Sequence, residues 1–158
     1  MRRERDMVAE NDRVVIRRAE TADIPAVVEM AMRLWDGHTA EELSALFQEA
    51  AACGESAVWL AVADGRTAGF AQGQLRHDYV EGTSSCPVGY LEAVYVRDEY
   101  RRRGVARQLV RACEEWAKEN GCVEFASDCE LENRTSLAFH LNIGFEEANR
   151  IICFVKKI

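Results

Sequence analysis

Short apolar stretches with strand periodicity alternate along the chain with longer segments in which apolar residues recur every three or four positions. The clearest helical pattern follows Gly104, where Val105, Leu109 and Trp116 share one face and Gly121 ends the helix. In chain order, the pattern first predicts a strand at 14–18, a helix from 21 to about 34 and a helix from the capping box at 39–42 toward 54. Strands at 57–62 and 67–75, a loop at 77–89, a strand at 90–96 and a helix at 105–120 follow. The chain then continues with a strand at 123–127, a helix at 133–142 and a closing hairpin at 145–147 and 151–156. This order predicts an α+β fold in which helices flank a mixed sheet.

A basic turn joins the apolar strand at 90–96 to the helix that begins near Val105. The turn contains Arg101, Arg102, Arg103 and Gly104, and it lacks the spaced glycines of the dinucleotide fingerprint and the Gly-Lys-Ser/Thr of the Walker loop. A glycine lets backbone N–H groups approach a ligand closely, and a helix start directs unpaired N–H groups to the same place. The turn therefore predicts an anion site suited to a pyrophosphate, with a solvated basic turn as the alternative.

Composition and charge limit the function classes. The 158 residues, 48% of them hydrophobic, have the size of one globular domain, expected at 14–158, and the charged residues 1–13 are expected to form a flexible tail. A net charge of −7 disfavours a nucleic-acid binder and favours a cationic partner. No apolar run is long enough to span a membrane, and the N-terminus lacks the apolar core of a secretion signal. We therefore expect a cytoplasmic protein that does not bind membranes.

The six cysteines are scattered along the chain. They form no Cys-x-x-Cys pair, and they make no Cys/His cluster with the spacing of zinc ligands. We therefore expect reduced thiols and no metal site.

The basic turn and a second, later segment resemble a known cofactor site. Arg101-x-x-Gly104-x-Ala106, after a Val-Tyr-Val strand, resembles the acyl-CoA pyrophosphate loop of the GNAT superfamily of N-acetyltransferases. Asn133-Arg-Thr-Ser136, followed by the Gly-Phe that ends 139–145, resembles the second half of the same site. The resemblance covers roughly residues 14–157.

The resemblance implies the GNAT fold, a mixed and mostly antiparallel twisted sheet flanked by about four helices, and acetyl-CoA as co-substrate without a metal. It implies a V-shaped gap between the strands that end near Val96 and Ser127, where the pantetheine arm would lie. Backbone N–H groups around Val94 and Val96 would bind the thioester oxygen and the pantetheine amides. The implied cofactor residues are Val94, Tyr95, Val96, Arg101, Arg102, Arg103, Gly104, Val105, Ala106, Arg107, Asn133, Ser136 and His140.

Four short segments resemble one branch of this superfamily, the aminoglycoside 6'-N-acetyltransferases. They are Leu34-Trp35, 76–80, 87–92 and 126–128. This resemblance implies direct transfer of acetyl to the 6'-amine of an aminoglycoside in a ternary complex, antibiotic resistance as the outcome, and a homodimer formed through C-terminal strands. The alternatives are an acetyltransferase for a polyamine, a small amine or a protein N-terminus, a non-catalytic acyl-CoA sensor, and an RNA-binding protein that uses the arginines of the basic turn.

Two carboxylates are the candidate catalytic residues. Glu92 interrupts the apolar strand, and a charge in such a strand is costly unless it has a partner or a function. We predict that it is the general base, with an ion pair to a neighbouring strand as the alternative. Asp128 matches the family's Ser-Asp segment and would bind a substrate ammonium, with a turn-capping aspartate as the alternative.

The resemblance implies substrate residues that are mostly acidic or aromatic, which suits a polycationic sugar, and Trp35 and Tyr79 match family positions that pack against its rings. The implied substrate residues are Trp35, His77, Asp78, Tyr79, Glu81, Glu92, Asp128 and Glu130. For Trp35 the alternative is ordinary core packing, and for each rim acid it is a solvated surface.

One position departs from the family pattern. Several relatives have a tyrosine in the last strand as a candidate acid for the leaving thiolate, whereas this chain has Phe154. Water or His140 could protonate the thiolate, but we expect no acid to be needed, because a thiol with a pKa of about 8.5 leaves readily at neutral pH.

Overall fold

The computed structural model describes residues 13–158. The tail predicted at 1–13 therefore lies, except for Arg13, outside the described residues. The elements are β1 (Val15–Arg18), α1 (Ile24–Ala31), α2 (Ala40–Cys53), β2 (Ser56–Ala63), β3 (Arg66–Arg76), β4 (Val88–Val96), α3 (Val105–Glu119), β5 (Phe125–Ala126) and α4 (Arg134–Ile143). Short 3-10 turns at Thr21–Asp23 and Asp98–Tyr100 precede α1 and α3.

The strands form one sheet in the order β1-β2-β3-β4-β5. The first four strands pair antiparallel, and β5 pairs parallel to β4. Since two parallel strands need a crossover between them, α3 connects β4 to β5 across one face of the sheet. The predicted mixed and mostly antiparallel sheet is confirmed.

Each face of the sheet has its own apolar core. On one face α1 and α2 pack through Met30 and Phe47 onto strand residues that include Phe70. On the other face Leu109 of α3 packs with Leu91 of β4, and α4 adds partly buried side chains. Complete burial of each such side chain stabilises the fold by about 1.5–3 kcal/mol, so both helical layers hold the sheet in place.

A bulge in β4 changes the direction of its side chains. Leu91 and Ala93 lie opposite adjacent residues of β3, so Glu92 is an extra residue in β4. In a regular strand Leu91 and Ala93 would face the same side, but here Leu91 and Val94 pack on the α3 side and Ala93 packs on the α1/α2 side. The bulge therefore reverses the alternation at the one acidic residue of the strand.

The gap expected beside β4 is present. Only two residue pairs join β4 to β5, Gly89 with Phe125 and Tyr90 with Ala126. Beyond these pairs the strands separate, and the C-terminal half of β4 has no strand partner on that side among residues 13–158.

The backbone of β4 directs alternate residues into this gap. The Arg97 N–H donates to the Ala68 carbonyl on β3 at 2.8 Å, so the residues one and three positions earlier face the other side. These are Val96 and Val94, as predicted. The backbone of Tyr95, also a predicted cofactor residue, pairs toward β3 instead, because backbone direction alternates along a strand.

The closing hairpin predicted at 145–147 and 151–156 is wrong. Residues 145–158 contain no strand, and Phe154 and Val155 are 91% and 96% exposed. A strand forms only where its backbone pairs with a neighbouring strand, and residues 145–158 pair with no strand within the described part of the chain.

Two other boundaries differ from the prediction. The first helix ends at Ala31 and not at Leu34, because the N–H groups of Arg33 and Leu34 bond carbonyls three residues back and tighten the chain into a turn. The fifth strand covers only Phe125–Ala126 of the predicted 123–127, because it pairs with β4 over two residues.

We predict that alanine at Gly89 will destabilise the fold and disturb the start of the gap. An added Cβ would lie 2.5 Å from Cδ2 of Phe125 and 2.6 Å from Cβ of Ala117, so β4 would have to move away from both α3 and β5. Overpacking of this kind costs about 1–3 kcal/mol. The free energy of unfolding, measured in urea, checks the expectation.

Gly73→Ala is the matched control, because its added Cβ would be no closer than 3.3 Å to Cys113 and Trp116 on the same helix. We expect a smaller loss of stability at Gly73 than at Gly89. An equal or larger loss at Gly73 would contradict the steric argument.

Candidate active site

An open groove lies where β3 ends beside the first half of β4, on the sheet face opposite α3. Its lining is predominantly polar and charged, and it consists of Glu55, Gln74, Leu75, Arg76, His77, Asp78 and Glu92. Three of the predicted substrate residues, His77, Asp78 and Glu92, therefore lie together.

Glu92 has a cationic partner across the strand pair. Nε and Nη2 of Arg76 lie 3.1 and 2.7 Å from Oε1 of Glu92, and the two side chains are about a third and a quarter exposed, at 33% and 23%. The alternative interpretation of Glu92, an ion pair to the next strand, is thus realised. Both contacts use Oε1, and Oε2 has no hydrogen bond to any described residue. One oxygen is held while the other is free for a ligand.

Tyr90 packs against this ion pair and lies near Asp128. The Arg76 guanidinium lies 3.5 Å from the centroid of the Tyr90 ring, a cation–π contact. Burial, and then the nearby exposed carboxylate of Asp128, raise the pKa of Tyr90. The hydroxyl therefore stays protonated at neutral pH.

The loop after β3 also carries the predicted substrate residues Tyr79 and Glu81. Nε2 of His77 lies 2.7 Å from Glu55, and the Tyr79 hydroxyl donates to Glu81 at 2.7 Å. Tyr79 is 78% exposed, so core packing does not account for it. Glu81 also accepts from Asn149 at 2.9 Å, which connects the loop to the C-terminal segment.

Glu124 anchors the far end of this loop. Its Oε1 accepts from the backbone N–H groups of Ser84 and Ser85 at 2.9 and 2.8 Å, and from the Ser85 hydroxyl at 2.5 Å. These hydrogen bonds, that from the Ser85 side chain first, lower the pKa of Glu124. The carboxylate therefore remains charged, and it ties the loop to the segment that leads into β5.

Two predicted substrate residues lie farther from the groove. Trp35 is half-buried and stacks on Phe47 at 6.3 Å between ring centroids, so it packs partly in the core of the α1/α2 face. Glu130 is exposed two residues after Asp128.

The basic turn has the backbone geometry of an anion cradle. Arg102 and Gly104 adopt positive φ angles of 62° and 73°, and the Gln108 N–H to Gly104 carbonyl bond of 3.1 Å begins α3. No side chain caps this helix, and the first helical N–H groups, from Val105 onward, have no intrahelical acceptor. They point outward beside Gly104. The space next to Gly104 is empty, since a Cβ placed on this residue would have no atom within 4 Å.

The arginines of the turn differ in what they contact. Arg101 donates from Nε to the Val96 carbonyl at 2.9 Å and pairs with Asp98 at 2.8 Å, so it fastens the turn to the end of β4. Arg102 and Arg103 are exposed, and the Arg103 guanidinium lies 5.8 Å from the Tyr100 ring centroid. The predicted residues Ala106 and Arg107 lie in the first turn of α3, and the Arg107 guanidinium donates to the Asn142 carbonyl at 2.9 Å.

The remaining predicted cofactor residues organise α4 beside the gap. Asn133 caps the helix, because its Oδ1 accepts from the Ser136 N–H at 3.0 Å. Nδ1 of His140 lies 2.7 Å from the Ser136 carbonyl and must carry a hydrogen, while Nε2 lies 2.9 Å from the Ser127 hydroxyl. Ser127 Oγ is also 3.3 Å from the Leu91 carbonyl, so this chain of contacts crosses the bottom of the gap.

Sequence reasoning missed four residues that shape the site: Arg76, Tyr90, Glu55 and Glu124. Arg76 and Tyr90 stand inside segments that carry the family resemblance, which was the available signal. Glu55 and Glu124 lie in turns between elements, and only their contacts distinguish them from other surface acids.

The described residues hold no group of three or more His, Cys, Asp or Glu side chains that could bind a metal ion. Within the same range no helix has the length and apolar character to cross a membrane. All six cysteines are free thiols, with Cys113 and Cys122 buried.

Comparison with known proteins gives a consistent family. Residues 24–145 match the model of the acetyltransferase (GNAT) family. The aminoglycoside N(6')-acetyltransferase type 1 of Stenotrophomonas maltophilia is 43% identical over 142 residues, which cover 88% of this chain and 90% of that protein. The protein of the same name from Acinetobacter haemolyticus is 38% identical over 90% of this chain and 98% of its own length.

Solved structures agree with the sequence comparison. The structure of AAC(6')-Iy in complex with the bisubstrate analogue CoA-S-monomethyl-acetylneamine superposes with a TM-score of 0.88 and 37% identity, over 92% of this chain and 99% of that one. AAC(6')-Ih from Acinetobacter baumannii superposes with a TM-score of 0.87 and 33% identity, over the same shares of the two chains. The chain therefore belongs to the GNAT family of acetyltransferases and, within it, groups with the aminoglycoside N(6')-acetyltransferases.

Proposed function

We propose that this protein transfers acetyl from acetyl-CoA to the 6'-amine of an aminoglycoside, and that residues 14–158 form the single domain that does so. The observation that carries the proposal is that Glu92, which is ion-paired with Arg76, and Asp128 both lie near Tyr90, where the pairing of β4 with β5 ends, while α3 begins without a side-chain cap. The first feature suits an ammonium group, and the second suits a pyrophosphate. Acetylation would remove a positive charge from the drug, weaken its binding to ribosomal RNA and so confer resistance.

The gap and the cradle fit acetyl-CoA without a metal. In this proposal the N–H groups at the start of α3 and the exposed Arg102 and Arg103 bind the pyrophosphate. Backbone groups of Val94 and Val96, which face the gap, bond the pantetheine amides and the thioester oxygen. A donor held at the oxygen where negative charge develops contributes about 2.7–4 kcal/mol.

The chemistry needs a base near the amine. In this proposal the free Oε2 of Glu92 takes a proton from the substrate ammonium, directly or through a water, and the amine then attacks the thioester carbon. The C–N bond forms, the C–S bond breaks and the nitrogen loses its second proton. One of the two protons ends on the coenzyme A sulfur and the other in solvent. No protein acid is required, because the thiolate is a good leaving group at neutral pH.

Charge separation around the site suits two ligands of opposite sign. Glu55, Asp78 and Glu92 line the groove, whereas Arg102 and Arg103 are exposed beside the cradle. Such a field raises the local concentration of a polycation at one end and of an anion at the other. The cytoplasm, which supplies acetyl-CoA and contains ribosomes, is the compartment that we propose.

We predict thiol release from acetyl-CoA when the purified protein is given kanamycin or tobramycin, which carry a 6'-amine. The matched substrate is an aminoglycoside with a 6'-hydroxyl, which should give little turnover, because a hydroxyl at this position is not the amine that the site deprotonates. Spermidine and a lysine peptide complete the set. Turnover with spermidine or the peptide alone would retain the family chemistry and refute the aminoglycoside assignment.

We predict that Glu92→Gln will lower kcat by about 10²- to 10⁴-fold, because it removes the base but keeps the size of the side chain. The KM for acetyl-CoA should change little, since the cradle lies at the other end of the gap. Residual activity should persist through the backbone donors.

Glu55→Gln is the matched control, because Glu55 lines the same groove but contacts His77. A fall in kcat at Glu55 as large as that at Glu92 would contradict the assignment of the base.

We propose that the chain forms a homodimer through its C-terminal segment, 151–158. Its large apolar side chains are exposed, and the short β5 leaves a sheet edge open. An exposed apolar segment of this size is unfavourable in water, and an open strand edge is a template for pairing with another chain. A second copy would cover both.

We predict that Phe154→Asp together with Val155→Asp will convert the dimer to a monomer, measured by light scattering after gel filtration. Leu46→Asp is the control, because Leu46 is 44% exposed but lies on α2, outside the C-terminal segment and β5. A wild-type protein that is monomeric at micromolar concentration would refute the proposed dimer.

A further inference from the structure

We infer that Asn149 is a positioning residue for the substrate, because through Glu81 it fixes the aromatic ring of Tyr79 beside the groove. The inference rests on the proposed function and deepens it, since it concerns how the same site receives the aminoglycoside. It also changes the role of Glu81, which the family resemblance implies to be a substrate residue. Neither Glu81 nor Asn149 is taken to react.

The loop that carries Tyr79 has a fixed backbone and an exposed ring. Val80 is 6% exposed and packs with Val88 and Tyr90, and its carbonyl accepts from the N–H and the hydroxyl of Thr83 at 3.2 and 2.8 Å. The backbone next to Tyr79 is therefore anchored. The Tyr79 side chain itself is 78% exposed, and an exposed side chain without a partner samples several rotamers. The orientation of the ring thus depends on what its hydroxyl contacts.

Glu81 holds the hydroxyl of Tyr79, and Asn149 holds Glu81. The Tyr79 hydroxyl donates to Oε2 of Glu81 at 2.7 Å, and Nδ2 of Asn149 donates to Oε1 at 2.9 Å. The hydrogen bond from Asn149, and then that from Tyr79, lower the pKa of Glu81, so the carboxylate stays ionised at neutral pH. Because each oxygen of Glu81 already accepts a hydrogen from the protein, the carboxylate orients Tyr79 instead of binding an incoming ammonium.

The side chain of Asn149 is fixed in turn. Its Oδ1 accepts from the N–H of Arg150 at 2.8 Å, so its amide nitrogen is turned toward Glu81. The same stretch of chain meets the loop again at Gly82, where an added Cβ would clash with the Cβ of Ala148. Residues 148–149 and 81–82 therefore touch at two neighbouring points, although they lie 68 residues apart in the chain.

A ring that is held before the ligand arrives favours binding of a sugar. Ordering a free side chain at the moment of binding lowers affinity, and a ring that is already oriented avoids this loss. Glu92 and the helix start at Gly104 are not part of this hydrogen-bonded array. Loss of the array should therefore affect binding of the aminoglycoside more than the chemical step or the binding of acetyl-CoA.

The first test is a double-mutant cycle between Asn149 and Tyr79. Asn149→Leu keeps the size of the side chain and removes the donor to Glu81, and Tyr79→Phe keeps the ring and removes the hydroxyl. For each variant we expect a rise of about three- to tenfold in KM for the aminoglycoside, the scale of a lost hydrogen bond to a charged group, with kcat and the KM for acetyl-CoA within about twofold of wild type. The double variant should raise KM little more than either change alone, because both act through Glu81.

The second test exchanges the amide and the carboxylate. Glu81→Gln alone places two amide donors against each other, and we expect it to raise KM for the aminoglycoside by about three- to tenfold. Adding Asn149→Asp restores an acceptor and the net charge, so the pair should return KM to within about twofold of wild type.

Glu147→Gln is the matched control for the exchange. It removes one exposed carboxylate close to Asn149 in the chain, but Glu147 pairs with Arg150 and not with the loop. Its KM for the aminoglycoside should stay at the wild-type value. Melting temperatures and light scattering check that every variant keeps the fold and the oligomeric state of the wild type.

The outcomes separate this inference from the proposed function. Wild-type turnover of the aminoglycoside, together with an unchanged KM for Asn149→Leu, would overturn the positioning role and leave the proposed function intact. Additive effects of Asn149→Leu and Tyr79→Phe would overturn it as well, and so would an exchanged pair no better than Glu81→Gln, since a carboxylate that binds the substrate directly is not rescued from position 149. Absence of wild-type turnover with every 6'-amine would refute the proposed function, and the positioning role with it.

Discussion

The extra residue at Glu92 in β4 is the constraint on which the rest of the site depends. By reversing the alternation of the strand, it places Leu91 and Val94 against α3 while the acidic side chain stays on the other face, toward Arg76. It also directs the N–H groups of Val94 and Val96 into the gap instead of toward β3. One irregularity thus supplies both the carboxylate and the backbone donors, on opposite sides of one short stretch of strand.

The ion pair between Arg76 and Glu92 is poorly explained by stability alone. Both side chains retain about a quarter to a third of their exposure, and ion pairs of this kind contribute roughly 0–1 kcal/mol once solvent screens them. A pair of apolar residues at the same place would stabilise the strand at least as well. The value of the pair lies in orientation, because it fixes one oxygen of Glu92 and positions the guanidinium over Tyr90.

The net negative charge of the chain does not prevent it from forming a basic anion-binding turn. The overall charge of −7 describes the surface as a whole, whereas the cradle depends on backbone N–H groups and on a few arginines in one turn. Because the helix start contributes its partial charge only within the first turn, its effect is confined to the ligand that sits there. The two ends of the gap can therefore present opposite charges within one small fold.

The sequence by itself determined the features of the structure that depend on residues close together in the chain. The capping box of Thr39 and Glu42 forms as predicted, with mutual hydrogen bonds of 3.2 and 2.9 Å, because it involves residues three positions apart. Gly104 likewise begins α3 with a positive φ, since the turn needs a conformation that glycine adopts without strain. The helices, the central strands, the family and the identity of Glu92 as an unusual residue were all predictable on this basis. The tertiary structure alone decided which groups meet: Arg76 with Glu92, Arg76 with the Tyr90 ring, and Glu124 with Ser84 and Ser85. It also decided that the C-terminal hairpin does not form within the chain, because a strand depends on an edge supplied from elsewhere, which the pattern of its own residues does not reveal.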